Sequence, residues 1–554
     1  MMKCTLPLSF GRRMIKGLVL ILLWPAVLMG QDELAPVSRT YALKNVNIVQ
    51  APGRKVDMGA IVIKDGIIQS VGKGINIPAD AIVIKADSMY VYAGFIDGLS
   101  RVGVEKPKEE RRERPKDPGN PTPERAGITP QNEVRTALNT SDKSVEELRN
   151  LGFTVAQVVP YGHPLPGHAA LVFLSGKAPD QSLLLNKSAF YAELTPVQGA
   201  YPATVMGVMA KFRDLYRNAV LNKNYETTYA SNRNGLERPV SDRILESFYP
   251  VIDQRLPVLF KSERLLETQR VFTLKNELNF ALTIGDLKEG WAITDKVKAA
   301  GAKVFLSLDL PEEPKKDDKK KDEGTNSAEQ QALDKRKLEA IANFTGQAAA
   351  FSKAGIPFGF STLSAKTKDI PANLRRMIAA GLTEDAALAA LTTTPAQLLG
   401  LSDRLGTVDN GKIANLVISD KPYFTEKAKV RYVFVDGDVF TLESKPEKKS
   451  DGKANASGSW SYTVESPQGG SGKIVIKDDG GRLSGTITSM NRESELQDVS
   501  LDGSTLTFSY TLDFGSNKIN IQVSATIDGD TMEGNLTAGQ MGSFPMKASR
   551  DPKK

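Results

Sequence analysis

Between residues 142 and 360 the chain repeats one pattern, a short apolar run with strand character followed by a stretch with helical spacing. The apolar runs fall at 154–159, 256–260, 280–284, 304–308 and 357–360. The helical stretches fall at 142–151, 265–278, 291–300 and 338–353. Strands separated by helices cannot pair through tight hairpins. They return in the same direction and bury both faces beneath helices. The pattern therefore predicts a parallel α/β sheet, and about three hundred residues of it suit a closed (β/α)8 TIM-like barrel with insertions.

A different texture flanks this region. From Tyr41 to Val91, short alternating apolar runs are split by Gly53, Asp65-Gly66 and Gly72, and the same texture returns at 414–418 and 430–439. Both read as strands joined by tight turns, with Asp65-Gly66 a hairpin turn. The reading is a small composite β-sandwich assembled from 31–95 and 405–443, with the barrel spanning 96–404. A polar linker at 444–456 leads into 457–552, short alternating strands with Gly-rich turns, which predict a separate antiparallel β-barrel-like domain. Two inserts rich in charge, 106–124 and 311–337, are expected to be mobile loops because they bury too little apolar surface to offset ordering.

Arg12, Arg13 and Lys16 precede an apolar run at 18–24, then a small-residue exit and polar residues. That order reads as a signal peptide over 1–30, with a periplasmic or extracellular destination. The apolar run falls short of the ~20 residues a spanning helix needs, so no membrane attachment is expected after cleavage. The single cysteine, Cys4, precedes the run, so disulfides play no part after cleavage. A net charge of +7, carried partly in mixed-sign runs such as Lys315 to Lys321, argues against a nucleic-acid surface.

The segment Ala93-Gly94-Phe95-Ile96-Asp97-Gly98-Leu99-Ser100-Arg101-Val102-Gly103 resembles the first barrel strand of the amidohydrolase superfamily, which reads PGFIDxHxHxG. Thr394-Pro395-Ala396-Gln397-Leu398-Leu399-Gly400-Leu401, followed by Gly406-Thr407-Val408-Asp409-Asn410-Gly411-Lys412-Ile413-Ala414-Asn415-Leu416-Val417, resembles the closing motif NPAxxLGLxxxxGSIxxGKxADLV of its imidazolonepropionase-like branch. The resemblance implies the barrel and its composite sheet. It also implies hydrolysis of C–N non-peptide or related bonds by a water activated on zinc. The metal of intact relatives is held by a His-x-His pair on the first strand, a histidine on a middle strand and an aspartate on the last.

At those positions this chain has Leu99, Arg101, Lys261 and Leu363. None offers the lone pair a divalent metal needs, and no cofactor is expected. Arg101 and Lys261 would either pair with Asp97 or Glu263, supply charge to an anionic ligand, or mark unused positions. The chain holds two histidines, His163 and His168, in a Pro/Gly-rich segment read as a loop beside the cleft. With Lys261 and Asp286 they are the candidates for non-standard catalysis. Three functions stay open. One is a metal-less pseudoenzyme that binds an unknown small molecule, or assembles as a homo-oligomer or with an intact relative. Another is a hydrolase using those four residues, and the last is a lipocalin-like C-terminal domain that binds a small ligand or a surface.

Overall fold

A computed structural model describes residues 40–107, 115–313, 328–442, 455–465, 470–479, 482–489, 492–513, 518–538 and 543–551. The proposed signal peptide, most of the linker and the centres of both charged inserts lie outside the described residues. Two compact units emerge, 1–442 and 443–554.

The first unit begins with β1 (Thr40–Ala51), β2 (Arg54–Lys64), β3 (Ile67–Gly72), β4 (Ile82–Ile84) and β5 (Tyr90–Ala93). The barrel follows as β6 (Phe95–Ser100), β7 (Phe153–Val158), β8 (Gly167–Phe173), β9 (Leu183–Glu193), β10 (Val258–Lys261), β11 (Leu282–Leu287), β12 (Lys303–Ser307) and β13 (Phe358–Ser361). The chain then returns through β14 (Leu416–Ser419), β15 (Val430–Val435) and β16 (Asp438–Thr441).

The two flanks form one eight-stranded sheet, ordered β16-β15-β14-β5-β1-β2-β3 with β4 beside β1. Its last strand, β3, meets the segment that leads into β14. Ile68 N donates to Lys412 O and Ala414 N to Gly66 O, both at 2.8 Å. The meeting point is a pair of glycines, Gly66 and Gly437, and a Cβ on Gly437 would lie 2.3 Å from Gly66 Cα. Leu43, Ile48, Ile61, Leu416 and Phe434 pack into one core.

The barrel strands follow chain order around the ring. They are parallel except for β8, which runs against both neighbours, a departure from strict (β/α)8 alternation. The ring closes between β13 and β6, where Ser361 Oγ donates to Leu99 O at 2.9 Å and Thr362 N to the Asp97 carboxylate at 3.1 Å. Outward residues of the strands pack under helices, as where Phe190, Phe260 and Phe280 meet Phe212 and Phe248. Each such fully buried ring contributes about 1.5–3 kcal/mol. Inward, Phe305 closes the barrel floor between Gly98 and Gly359, where any Cβ would collide with its ring.

Two expectations about the inserts are corrected. The described end of the first is tied down, since Tyr201 N donates to Pro118 O and Ile128 N to Pro123 O. In the second, the helix expected from 338 runs Ala328–Lys353, because the preceding Ala-Glu-Gln-Gln-Ala-Leu is strongly helix-forming. Among the described residues no helix is long and apolar enough to cross a membrane.

The second unit is a nine-strand antiparallel sheet spanning Gly458 to Arg550. Its first and last strands pair with each other. Its two edge strands, Arg492–Glu495 and Gln497–Asp502, are consecutive and joined at Leu496, so the ribbon nearly closes into a barrel. Trp460, Tyr462, Phe508, Tyr510 and Met532 fill its interior. Arg550 stacks 4.1 Å from the Trp460 ring.

Candidate functional site

The C-terminal ends of the barrel strands converge on one mouth, where this architecture carries its chemistry. Because side chains alternate along a strand, the inward set is fixed by the pleat. On β10, Val258 and Phe260 face the helices, so Leu259 and Lys261 face the lumen. On β9, Phe190 and Ala192 face out, so Tyr191 and Glu193 face in.

Leu99 and Leu363 stand in the lumen as apolar neighbours. Leu99 packs with Val159, Ala169, Ala189, Tyr191 and Leu259, with Leu363 against the cluster. A Cβ on Gly285 would come within 2.4 Å of Leu99 Cδ2, so the leucine occupies the space above β11.

Arg101 and Lys261 enter a chain of alternating charge that runs around the mouth. Arg101 Nη2 donates to Glu193 Oε1 at 2.9 Å. Glu193 is buried and also accepts from the Tyr191 hydroxyl at 2.6 Å and the Thr195 hydroxyl at 3.0 Å. Lys261 Nζ lies 2.7 Å from Glu263, whose second oxygen faces Lys288 at 3.3 Å, and Lys288 reaches Asp309 at 2.8 Å. Burial alone would lower the Lys261 ammonium, but the Glu193 and Glu263 carboxylates outweigh it and hold its pKa above the ordinary range. Burial would likewise raise Glu263, yet Lys261 and Lys288 keep it below the carboxylate range. Lys261 thus takes the pairing with Glu263 that its sequence allowed. Arg101 pairs with Glu193 instead of Asp97.

Asp97 is fully buried at the seam of β6 and β13. It accepts from the backbone of Leu99 and Thr362 and from the Thr362 hydroxyl. Burial nevertheless pushes it up to about 7. Asp286 is buried with a left-handed backbone, φ 59°. It accepts from Ser364 Oγ at 2.5 Å and lies 3.1 Å from Ser361 Oγ, whose one proton it shares with Leu99 O, and burial raises its pKa. It crosses the lumen to β13 and leaves no oxygen of its carboxylate unengaged.

The two histidines are not brought together with these groups. His168 lies on strand β8, where a loop was expected, because Gly167 to Phe173 completes the sheet between β7 and β9. It shares the helix-facing side with Ala170 and Val172, its ring 5.6 Å from Phe190. Burial drops it to about 4, so it is neutral at physiological pH. His163 precedes Pro164 in the connection that leads into that strand, partly buried.

The donor chemistry at the four positions does not fit a divalent metal. Two are alkyl groups and two are cations held in ion pairs. Among the described residues, no three His, Cys, Asp or Glu side chains are grouped to hold a metal ion. Sequence reasoning did not identify Glu193, the hub of the network. Its signal was a lone carboxylate closing the apolar run Ala189-Phe190-Tyr191-Ala192, on a strand that was not recognised.

A barrel of eight strands flanked by a sheet drawn from both chain ends, with its polar groups at the strand C-termini, is the architecture of the amidohydrolases. Residues 288–440 match the sequence model of the amidohydrolase family. The structure is similar to that of an amidohydrolase from Thermotoga maritima MSB8, with 20% identity and a TM-score of 0.59 over 73% of this chain and 100% of that one. A putative prolidase from Bifidobacterium longum matches at 15% identity and TM-score 0.42, over 72% of this chain and 94% of the other. An adenosine deaminase from Xanthomonas campestris matches at 13% and 0.39, over 73% and 93%. No curated protein matches the chain. The segment 288–440 thus resembles the amidohydrolase family in sequence, and the barrel it completes shares its fold with the Thermotoga maritima amidohydrolase.

Proposed function

We propose that this is an exported, imidazolonepropionase-like barrel that has given up metal-dependent hydrolysis and serves to bind a small molecule or to assemble with further copies or with an intact relative. The observation that carries the reading is the filling of the mouth. Leu99 and Leu363 pack where two ligands would stand, and Arg101 and Lys261 are tied to Glu193 and Glu263. Removing either carboxylate to free a cation would leave an unpaired buried charge, so the arrangement is not one side chain away from a metal centre. The route to hydrolysis through His163, His168, Lys261 and Asp286 loses support. His168 faces the helices, Lys261 is held protonated, and both Asp286 oxygens accept hydrogen bonds. The test is turnover of a panel of amides, dipeptides, cyclic ureas and lactams by the purified protein, with zinc, manganese or nickel supplied. We expect no hydrolysis above background. Metal-stimulated turnover lost on chelation would overturn the proposal. The second reading, a ligand- or surface-binding role for the second unit, looks to its outer face, because Trp460, Tyr510 and Met532 fill its interior.

A further inference from the structure

If the barrel binds rather than hydrolyses, the walls of its mouth state what it binds. This inference rests on the reading above and names the ligand chemistry. A cleft of about 600 Å³ opens where β6 and β13 end, beside the helix Lys143–Asn150. That volume lies in the range of small-molecule sites.

Most polar groups on its walls are already engaged. Ser100 and Thr362 bond each other at 3.1 Å. Asp142 caps the adjoining helix by accepting from Ser144 N at 2.8 Å and Ser144 Oγ at 2.5 Å. Glu105 accepts from Asn139 at 3.2 Å, and Lys106 also has a partner. Three groups on one part of the wall keep donors to spare. Arg101 uses only Nη2, on Glu193, and its Nε is buried with no acceptor. The Tyr161 and Thr367 hydroxyls, both on the cleft wall, have no hydrogen-bond partner among the described residues. The Arg101 guanidinium also lies over the Tyr161 ring, 4.8 Å from its centroid. A guanidinium fixed on one edge by a carboxylate and on one face by an aromatic ring presents its remaining N–H groups at little ordering cost.

Arg101, Tyr161 and Thr367 thus form one group of available donors, while Asp142 and Glu105 each engage one carboxylate oxygen, on Ser144 and Asn139, and Lys106 adds a second cation to the wall. The rest of the wall is apolar: Val102, Val104, Leu148, Leu363 and Ala365. We propose that the cleft binds a small organic monocarboxylate with an apolar body. The carboxylate is received by Arg101, Tyr161 and Thr367, and the body lies against Leu148 and Leu363. At this cluster an amine ligand would meet the Arg101 guanidinium, and a neutral amide would forgo the charge-assisted bond that distinguishes it.

Titration calorimetry of the full chain with 4-phenylbutyrate, 4-phenylbutanamide and 4-phenylbutylamine tests it. The acid should bind saturably, the amide roughly tenfold or more weakly, and the amine not at all. Arg101→Gln should weaken the acid by roughly tenfold or more, and Tyr161→Phe by about threefold. If Arg101→Gln fails to fold, Tyr161→Phe and Thr367→Val carry the comparison. Absence of acid binding, or equal affinity for acid and amide, would overturn the proposal. Zinc titration of the same samples separates the two readings. Zinc uptake would count against the metal-less barrel, whereas loss of acid binding without zinc uptake would count against the ligand alone.

Discussion

Replacing Glu193 tests whether the mouth is held by its ion network. The side chain is 6% exposed and accepts from Arg101, Tyr191 and Thr195. Glu193→Leu removes the charge and leaves Arg101 unpaired. Breaking a buried pair from one side costs about 3–5 kcal/mol, and the 24% exposure of Arg101 places this case near the lower end, about 3 kcal/mol. Arg101→Leu leaves Glu193 with two hydroxyl donors and Lys261 nearby, so it should cost less, about 2 kcal/mol. The double variant replaces the pair by alkyl groups beside an existing leucine cluster and should recover most of the loss, giving a coupling of about 2 kcal/mol or more. Trp291, packed edge-to-face 4.9 Å from Phe344, reports on this unit once Trp24 and Trp460 are changed to Phe. At a slope of about 3 kcal/mol per M, urea unfolding of Glu193→Leu should shift by about 1 M. Single losses that add to within about 0.5 kcal/mol would show that the pair is solvent-separated and refute the network.

Asp97 is raised to about 7 by burial, so the native state holds a proton there that the unfolded chain releases near pH 4. Its contribution therefore falls as pH rises from about 4 to about 7. His168, lowered to about 4 by burial, has the opposite sign and favours the fold increasingly as pH rises from about 4 to 6.5. Asp97→Asn should thus steepen the gain in stability over that range, measured by urea midpoints, while an unchanged profile would contradict the assignment. Gly98→Ala sets a Cβ 1.9 Å from the Phe305 ring and should yield little soluble protein, with partial rescue by Phe305→Leu, scored by soluble expression. Trp460→Ala should cost the second unit about 3–5 kcal/mol, read by its susceptibility to protease, with the Trp291 transition unmoved.

The fold was legible where period and turn chemistry agreed. The strands ending at Lys261, Leu287 and Ser361 fall within a few residues of their apolar runs, and Asp65-Gly66 turns as its sequence demands. β8 and β9 were missed because β8 is buried along its whole length and β9 is polar at Asn186-Lys187-Ser188, and a helical turn at Pro179–Ser182 separates them, so no period-2 alternation stood out. The same omission hid Glu193 and left His168 in a loop. Which charges meet across a barrel depends on strand order and register, and a chain with no second copy of the motif carries that information only in three dimensions. Lys261 could be matched to Glu263, two residues away. Arg101 and Glu193 lie 92 positions apart.

In the proposed function, leucines and ion pairs stand in the mouth in place of metal ligands. Zinc content after loading and dialysis, measured by plasma mass spectrometry on the full chain, tests it most directly. The structure predicts no retained zinc above that of a Leu99→Ala control, in which the apolar filling is thinned but no donor is added. One zinc per chain, displaced by a chelator and lost in Asp286→Asn or Glu193→Gln, would contradict it.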